Sequence, residues 1–393
     1  MSRLRRTQVL MCTDSLAVGG AERVAVDLAN TLDRRTHRVT FCATRSGGPL
    51  AARLADDVET LVLGRSATWD LPKLVRFARW VRERQIDVVH SHGRGTMRFV
   101  ALARSLRLVN CRHVFHDHYN WLHVDRRAGP GLAVPLRTVD AYLGVDSRLC
   151  AWARDTAGVL DERVHLVRSG VDLSRFNGVV PADLRSMIDA APDALVLVMV
   201  GNLRPQKDHP TLFRALSEMA PHEQARLRVA VVGSTSADPE YHAGCVAMIE
   251  RLGVGPSVHL LGSRHDAPAL IAGADAGLAT SKNETGPLVV LEYMAGGVPF
   301  VATDTGEIAQ AVRDLGVGWV TPPRDARALA GALRQLLALA PDERRAMGRR
   351  AQLEAARHFD QRDVTRTVER IYQAALGLRA GPERDSQARS DRL

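Results

Sequence analysis

The stretch SKNETGPLVVLE, residues 281–292, decides the fold. An apolar strand candidate, residues 276–279, precedes this stretch, and a second one, residues 299–302, follows it. The glycine-proline pair inside the stretch breaks regular structure, so Glu284 is predicted on a loop and Glu292 in the helix that follows. A strand, a loop, a helix and a strand in this order indicate a parallel sheet with crossover helices.

The same alternation of apolar runs and amphipathic helices extends along the whole chain. Strands are predicted at residues 7–13, 38–43, 58–63, 88–90, 112–116, 141–145 and 163–167, and then at 195–200, 228–233, 258–262, 276–279, 299–302 and 319–320. Between the two series, residues 177–191 contain glycine and proline with little apolar periodicity, which is typical of a connection between domains. Two doubly wound α/β domains that face a central cleft would bind ligands at the carboxyl ends of their strands.

Chain length and the C-terminal residues suggest the domain boundaries. A chain of 393 residues is long for one domain, so two are expected. We predict the first domain at residues 1–178, with a helix at residues 360–378 packing back on it, and the second at residues 190–359. Residues 379–393 are polar and lack apolar periodicity, and we predict that they form a disordered tail.

Composition limits the classes of function. The net charge of +9, from 53 basic and 44 acidic residues, would suit nucleic acid, an anionic membrane face or a phosphorylated small substrate. Only 5% of the residues are aromatic, and no arginine-rich block contains interleaved aromatics, so no nucleic-acid partner is expected. The five cysteines form no C-x-x-C pair, which argues against a zinc site or a disulfide framework.

The longest apolar runs and the N-terminus bear on the location of the protein. Runs such as residues 194–200 have about the length of a strand, far below the roughly 20 residues that cross a bilayer. The basic residues 1–6 precede only a short apolar run, and the polar pair Thr13-Asp14 follows at once, so no signal peptide is predicted. The expected location is the cytoplasm.

The carboxylates of Glu284 and Glu292 are the strongest candidates for ligand binding. A carboxylate on a loop can accept hydrogen bonds from sugar hydroxyls, and one in the following helix can accept them from a ribose diol. The amides at the start of that helix are free to meet a phosphate. A pair of surface glutamates is the alternative, but the apolar residues 287–291 between them make that reading hard to maintain.

Two other turns offer groups that suit a phosphate. Residues 201–208 follow an apolar strand, and Arg204 and Lys207 could neutralise a diphosphate leaving group there, the alternative being a solvated basic loop. Gly19-Gly20 lies between the first strand and the first helix, where glycines let backbone amides approach an anion. A simple tight turn is the alternative at this position, and the dinucleotide pattern G-x-G-x-x-G is absent.

The two glutamates and the residues after them resemble a known family. Glu284, Glu292 and the following run YMAGGVPFVATD, residues 293–304, are similar to the retaining glycosyltransferases of family 4. Further landmarks of that family occur in the same order and span nearly the whole chain: Gly19–Arg23, Asp87–Gly93, His116-Asp117, Gly170–Asp172 with Phe176, Gly201–Lys207, Leu260–Gly262 and Asp275. The resemblance implies a GT-B fold, with the acceptor on the N-terminal domain and the nucleotide-sugar donor on the C-terminal domain.

The resemblance also implies roles for individual residues. Glu284 would hold the donor sugar by its hydroxyls, Glu292 would hold the nucleotide ribose, and Lys207 would contact the diphosphate. The remaining implied donor contacts are Gly19 and Gly20, closing over the diphosphate from the other domain, Gly286, Pro287, Leu288 and Val289 through their backbone, and Ser263 near the base. His116 would face the donor sugar, which makes His116, Glu284 and Lys207 the implied catalytic residues.

Three positions depart from the pattern of the family. Asn202 stands where an arginine is usual, so Arg204 is expected to take over that charge, and both are expected to contact the donor. Thr285-Gly286 replaces the usual Gly-Phe, which reshapes the sugar pocket, and Ser169 replaces an asparagine. These departures leave the identity of the donor sugar open.

The resemblance implies a reaction as well. A sugar, expected to be a hexose, would move with retention of its anomeric configuration, without a metal and without a cofactor other than the donor itself. The acceptor would be a cell-surface glycan, a lipid-linked molecule or a small molecule of secondary metabolism. An epimerase or hydrolase of the same fold, and a nucleotide-sugar-binding protein without catalysis, are the alternatives.

Residues 71–84 offer a candidate membrane contact. They are predicted to form a helix in which basic side chains lie beside Phe77 and Trp80, a composition that suits an anionic membrane at the inner membrane face. An ordinary crossover helix with a solvated cationic face is the alternative. Residues 116–123 are polar and aromatic and could line an acceptor entrance or form a plain loop.

Overall fold

The structure, a computed structural model, describes residues 5–119 and 127–378 and divides into two compact units. The first unit ends at Gly170 and is resumed at Gln361, and the second comprises Val171–Asp360. Residues 177–191, predicted to connect the domains, instead lie within the second unit. Leu184 and Ile188 of this segment are buried in its core, so the division falls before the predicted boundary rather than within it. The predicted tail, residues 379–393, lies outside the described residues.

The first unit is built on a parallel sheet. Its elements are β1 (Thr7–Ser15), α1 (Gly20–Thr31), β2 (His37–Ser46), β3 (Glu59–Val62), α2 (Leu71–Glu83), β4 (Val88–His92), α3 (Arg94–Ser105), β5 (Arg112–Asp117), α4 (Pro130–Arg137), β6 (Ala141–Gly144), α5 (Ser147–Asp155) and β7 (Val164–Leu166). In the described part of this unit the seven strands pair in the order β3-β2-β1-β4-β5-β6-β7, and every pair is parallel. Residues 9–13 of β1 are all buried, so both faces of the sheet are covered there, as expected of a parallel sheet with crossover helices.

The second unit repeats this plan. Its elements are α6 (Leu184–Met187), β8 (Leu195–Val200), α7 (His209–Ser217), α8 (Pro221–Ala225), β9 (Leu227–Val232), α9 (Pro239–Leu252), β10 (Val258–Gly262), α10 (Ala267–Ala272), β11 (Ala276–Ala279), α11 (Leu288–Ala295), β12 (Phe300–Thr303), α12 (Gly306–Leu315), β13 (Gly318–Thr321), α13 (Ala326–Ala338) and α14 (Pro341–His358). Its strands pair in parallel in the order β10-β9-β8-β11-β12-β13. The prediction of two doubly wound α/β halves with parallel sheets is therefore confirmed.

The last helix, α15 (Gln361–Ala375), returns the chain to the first unit. Its Thr365 hydroxyl lies 2.6 Å from that of Thr31 at the end of α1, and its Glu369 carboxylate accepts a hydrogen bond of 2.9 Å from the Asp33 amide. Tyr372 is fully buried, and its hydroxyl lies 2.6 Å from Nδ1 of His90 in β4. The first unit is thus assembled from two separate stretches of the chain.

Strand order determines where each sheet can bind a ligand. The order reverses between β1 and β4 in the first unit and between β8 and β11 in the second. Crossover helices leave the sheet in opposite directions at such a point, and the carboxyl ends of the two strands there form a crevice. The loops that follow β8 and β11 are those that carry Lys207 and Glu284.

Close packing supports the crevice of the second unit from below. Gly277 in β11 lies against the ring of Tyr293 in α11, where a Cβ atom would come within 2.3 Å of the ring carbons. The Tyr293 hydroxyl donates to the carbonyl of Leu278 at 2.8 Å and accepts from the amide of Val200 at 3.1 Å. Because Val200 ends β8, this tyrosine joins the two strands beside the crevice.

Helix α2 presents a mixed surface. Phe77, predicted to belong to a membrane-facing surface, is instead buried against Phe99 at 5.4 Å between ring centroids. Arg76, Arg79 and Arg82 are exposed, and Trp69 just before the helix is 78% exposed. Among the described residues, no helix is long and apolar enough to cross a membrane.

Candidate functional site

Lys207 and Glu284 meet at the crevice of the second unit. The Lys207 Nζ atom lies 2.7 Å from Oε1 of Glu284, and the Ser281 hydroxyl donates to the same oxygen at 3.2 Å. The Lys207 side chain is 22% exposed and the Glu284 side chain is 13% exposed, so the pair is shielded but still reachable from solvent. The structure thus brings together a cation and a carboxylate that lie 77 residues apart in the chain.

The backbone holds these two loops in fixed register. The Thr280 hydroxyl donates to the carbonyl of Lys207 at 2.8 Å, and the Lys282 amide donates to the carbonyl of Gln206 at 2.9 Å. Asp208, next to Lys207, has a φ of 51°, a left-handed conformation that is uncommon for residues other than glycine, asparagine and aspartate. These hydrogen bonds and the constrained backbone at Asp208 fix the positions of the two loops that carry Lys207 and Glu284.

Glycines let the backbone approach closely under Lys207. A Cβ atom at Gly201 would lie 3.3 Å from Cε of Lys207, and one at Gly233 would lie only 2.0 Å from the Gly201 carbonyl oxygen. Asn202 does not take the place of the usual arginine as a charge, since its Oδ1 accepts a hydrogen bond of 3.0 Å from the Ser234 amide. Arg204, the expected substitute, is exposed at the start of the Lys207 turn.

Glu292 is buried and paired with an arginine that sequence reasoning did not single out. It lies in α11, its side chain is 3% exposed, and its Oε1 accepts a hydrogen bond of 2.9 Å from Nη1 of Arg175. Arg175 precedes Phe176, one of the family landmarks, but nothing in its spacing connects it to a glutamate 117 residues later. The carboxylate is therefore paired with a cation within the same unit.

The start of α11 offers free amides beside these carboxylates. Pro287 precedes the first helical residue, and the amides of Leu288 and Val289 lie in the first turn, where they have no partner within the helix itself. Gly286 lies one residue earlier. Gly306 packs against the same loop, where a Cβ atom would lie 2.6 Å from the carbonyl oxygen of Thr285. An anion at the end of β11 would meet these amides and the positive end of the helix.

Ser263 lies apart from this group. It is exposed and follows β10, which is the edge strand of the sheet and is separated from β8 by β9. Neighbouring strands are about 4.8 Å apart, so the end of β10 is roughly 10 Å from the end of β8. That distance would suit a contact with the far end of an elongated ligand rather than with the atoms near Lys207.

In the first unit, Gly19 and Gly20 form the turn that starts α1. Gly19 precedes the helix in extended conformation, and a Cβ atom there would lie 2.3 Å from Oε2 of Glu22. A Cβ atom at Gly20 would meet no atom within 4 Å. The two glycines therefore differ, because Gly19 accommodates the Glu22 carboxylate while Gly20 leaves open space beside the helix start.

His116 belongs to a stack of four histidine rings at the carboxyl ends of β4 and β5. Its ring centroid lies 5.6 Å from that of His90, 5.2 Å from that of His92 and 4.4 Å from that of His118. Burial lowers the pKa of each ring, to about 3 for His118 and well below the usual value for the other three. At neutral pH all four rings are uncharged, so His116 could donate or accept a hydrogen bond but would carry no charge.

Asp117, the residue after His116, is firmly held. Its Oδ2 is 3.1 Å from Nη2 of Arg94 and accepts a hydrogen bond of 2.9 Å from the Tyr142 hydroxyl, and its Oδ1 accepts from the Tyr119 amide at 3.0 Å. These contacts fix the loop that begins the predicted acceptor entrance. Residues 120–123 of that predicted entrance lie outside the described residues.

Two family models match the chain in succession. The model described as Glycosyltransferase Family 4 matches residues 18–175, and the one described as Glycosyl transferases group 1 matches residues 183–354. Among curated relatives, D-inositol 3-phosphate glycosyltransferases from Mycobacterium bovis and Mycobacterium tuberculosis are 29% identical over 363 residues, which covers 85% of this chain and 74% of theirs.

Solved structures agree with these matches at the level of the fold. A glycosyltransferase from Rickettsia africae superimposes with a TM-score of 0.80 at 17% identity, over 95% of this chain and 99% of that one. Anabaena Alr3699/HepE in complex with UDP-glucose gives 0.80 at 21% identity, over 94% of this chain and all of that one. The chain belongs to the GT-B glycosyltransferases and, within them, to the family 4-like group that the two models describe.

Proposed function

We propose that the protein transfers a hexose from a nucleotide-diphosphate sugar to an acceptor, with retention of the anomeric configuration. The observation that carries this proposal is the Lys207–Glu284 pair at the carboxyl ends of β8 and β11, the crevice in which a sheet of this topology binds its ligand. The complex of Anabaena Alr3699/HepE with UDP-glucose supports a donor of this class.

The chemistry follows from charge that develops on the leaving diphosphate. Lys207 would stabilise that charge, with Arg204 as a second cation and the first amides of α11 as neutral donors. Once Lys207 turns to the diphosphate, Glu284 is free to accept hydrogen bonds from the sugar hydroxyls. Glu292, paired with Arg175, would accept them from the ribose diol.

Retention is proposed to proceed on one face of the sugar. The donor phosphate oxygen would take the proton of the attacking acceptor hydroxyl, so no protein carboxylate is needed as a nucleophile. Lys207 and Arg204 would supply the positive charge that other transferases obtain from a metal ion bound to the diphosphate. The donor contacts predicted for Gly19, Gly20, Ser263 and His116 remain predictions.

The acceptor is proposed to be a glycan, a lipid-linked molecule or a polar small molecule. Exposed Arg76, Arg79 and Arg82 on α2, beside the exposed Trp69, support a peripheral contact with an anionic membrane on the cytoplasmic side. Flotation with anionic vesicles tests this contact, and a variant with all three arginines replaced by glutamine should float less. Equal flotation of both proteins, or none with either, would remove the membrane contact.

The test of the reaction is a donor panel. Purified protein is incubated with a set of UDP-, GDP- and ADP-sugars, with and without candidate acceptors, and released nucleotide and sugar products are measured. Release that depends on an acceptor, with a product whose anomeric configuration by NMR matches the donor, is the expected result. Release of free sugar without acceptor would indicate a hydrolase, an epimeric sugar an epimerase, and tight donor binding without release a non-catalytic protein.

A further inference from the structure

The histidine stack of the first unit contains a group of ring nitrogens that lie close together. His90 and His92 come from β4 and His116 from the neighbouring strand β5, and one ring nitrogen of each lies within 4.8 Å of those of the other two. All three side chains are buried, with 0%, 1% and 1% of their surface exposed. Parallel strands with histidines at matching ends thus bring three potential ligand atoms to within 4.8 Å of one another.

These nitrogens lack the partners that buried polar atoms normally have. Nε2 of His90, Nε2 of His92 and both ring nitrogens of His116 make no hydrogen bond with good geometry to any described residue. Burial lowers the pKa of His116, and the nearby backbone of Val167 opposes this effect only in part. Buried polar atoms without a partner are costly, and these four atoms on three neighbouring rings are available to bind a ligand.

The hydrogen bonds of His90 and His92 leave one nitrogen of each ring available to bind a metal. Nδ1 of His90 lies 2.6 Å from the Tyr372 hydroxyl, and Nδ1 of His92 lies 3.0 Å from Nε2 of His118. A histidine that binds a metal through one nitrogen ordinarily donates its other N–H to a neighbour, which fixes the tautomer and the ring. In both rings the engaged atom is Nδ1, which leaves Nε2 as the atom that could bind a metal.

We propose that His90, His92 and His116 bind one divalent transition-metal ion of the zinc class, with a fourth position left for water or another ligand. Neutral imidazoles are the ligands that such ions prefer, whereas magnesium and calcium prefer oxygen. The site is distinct from the diphosphate contacts proposed for Lys207. It shares His116 with the donor contact that the family resemblance implies, and a bound metal ion would occupy the ring nitrogen that this contact needs. The absence of a C-x-x-C pair, which argues against a cysteine-based zinc site, does not bear on a site built from histidines.

Ring movement is required for binding. Nitrogen atoms around a tetrahedral zinc ion are about 3.3 Å apart at zinc–nitrogen distances of about 2.0 Å, which is shorter than the present limit of 4.8 Å. The ring planes lie 11° to 39° apart, so rotation about the terminal side-chain bond must turn them toward a common point. Such torsions have broad minima, but the rings are buried and hydrogen-bonded, so their rotation requires small shifts of the neighbouring side chains as well.

Zinc and cobalt titrations of the full chain, freed of any polyhistidine tag and stripped with chelator, test the proposal. Calorimetry should give one Zn²⁺ per chain, and Co²⁺ should give the intense visible bands of a tetrahedral nitrogen site. His92→Asn should lower zinc affinity more than 10-fold, and Tyr372→Phe, which removes only the outer hydrogen bond of His90, should lower it about 10- to 100-fold. His259→Asn, in the second unit, is the matched control and should change nothing.

X-ray absorption at the zinc edge of the unmodified protein gives a test that needs no variant. Three imidazole nitrogens at about 2.0 Å are expected. A shell dominated by oxygen, or equal zinc affinity in His92→Asn and the unmodified protein, would overturn the proposal. Failure of sugar transfer in the donor panel would leave this result unaffected.

Discussion

Removal of the Arg175 side chain gives a direct measure of how the second unit tolerates its buried carboxylate. Glu292 lies in α11 with 3% of its side chain exposed, and Arg175 provides the cation 2.9 Å from its Oε1. Arg175→Met keeps the apolar stem of the side chain and removes the charge. The variant therefore isolates the electrostatic contribution from the packing contribution.

The expected loss of unfolding free energy follows from the burial of the Arg175–Glu292 pair. Breaking a buried ion pair on one side costs about 3–5 kcal/mol, because a charge remains without compensation. The Arg175 side chain is 21% exposed, so water can reach part of the space near the carboxylate. We therefore expect a loss at the lower end of that range, about 3 kcal/mol. In a unit the size of residues 171–360 this corresponds to a fall in Tm of roughly 6–12 °C.

The assay is differential scanning calorimetry at pH 7.5, with amide hydrogen exchange in α11 to assign the change to the second unit. Glu292→Gln alone should cost less, about 1–2 kcal/mol, because the partly exposed guanidinium left behind can be hydrated. Adding Glu292→Gln to Arg175→Met should recover part of the stability, since no ionised group then stays buried. A double variant that loses the sum of both single losses, or an Arg175→Met protein that melts within 2 °C of the unmodified chain, would refute this account.

Three further changes have expected outcomes. Lys207→Ala should lower turnover about 100-fold or more with any accepted donor, while Lys282→Ala on the adjoining loop should change it little, as steady-state rates of nucleotide release will show. Gly277→Ala should cost about 1–3 kcal/mol in urea denaturation because its Cβ would press on the buried tyrosine ring of α11, whereas Gly331→Ala, in open space within α13, should stabilise by about 0.5–1 kcal/mol. Burial, with a smaller contribution from Lys207, lowers the pKa of His209 to about 4, so its contribution to stability is present above pH 6.5 and is lost as the pH falls toward 4. Between pH 7.5 and 5.5 the loss is about 1.4 kcal/mol, which His209→Asn should abolish in denaturation curves at the two pH values.

The fold was predictable from sequence because it depends on local patterns. Apolar runs of strand length alternate with amphipathic helices, and the alternation itself defines parallel sheets without knowledge of any contact. The boundary between the units was less accessible. Residues 177–191 have the composition of a linker, yet Leu184 and Ile188 find partners in the core of the second unit, and only the folded chain shows those partners.

The candidate site was predictable where its residues directly follow predicted strands. Lys207 and Glu284 each follow an apolar strand, and parallel strands bring their carboxyl ends to the same edge. Arg175 could not be predicted in this way, since it pairs with Glu292 across 117 residues and lies on no strand. The sequence marks His90 and His92 only as part of a family landmark, because the neighbouring β5 histidine becomes relevant only when the two strands pair.

The return of α15 to the first unit has a consequence for synthesis on the ribosome. Tyr372 must reach His90, which was made 282 residues earlier, before the core beneath β4 is closed. At 5–20 residues per second, translation of the intervening second unit alone takes roughly 10–40 seconds. The first unit to emerge from the ribosome is therefore the last to be completed. During that interval the nascent chain exposes the apolar surface on which α15 later packs. Chaperones can bind this surface.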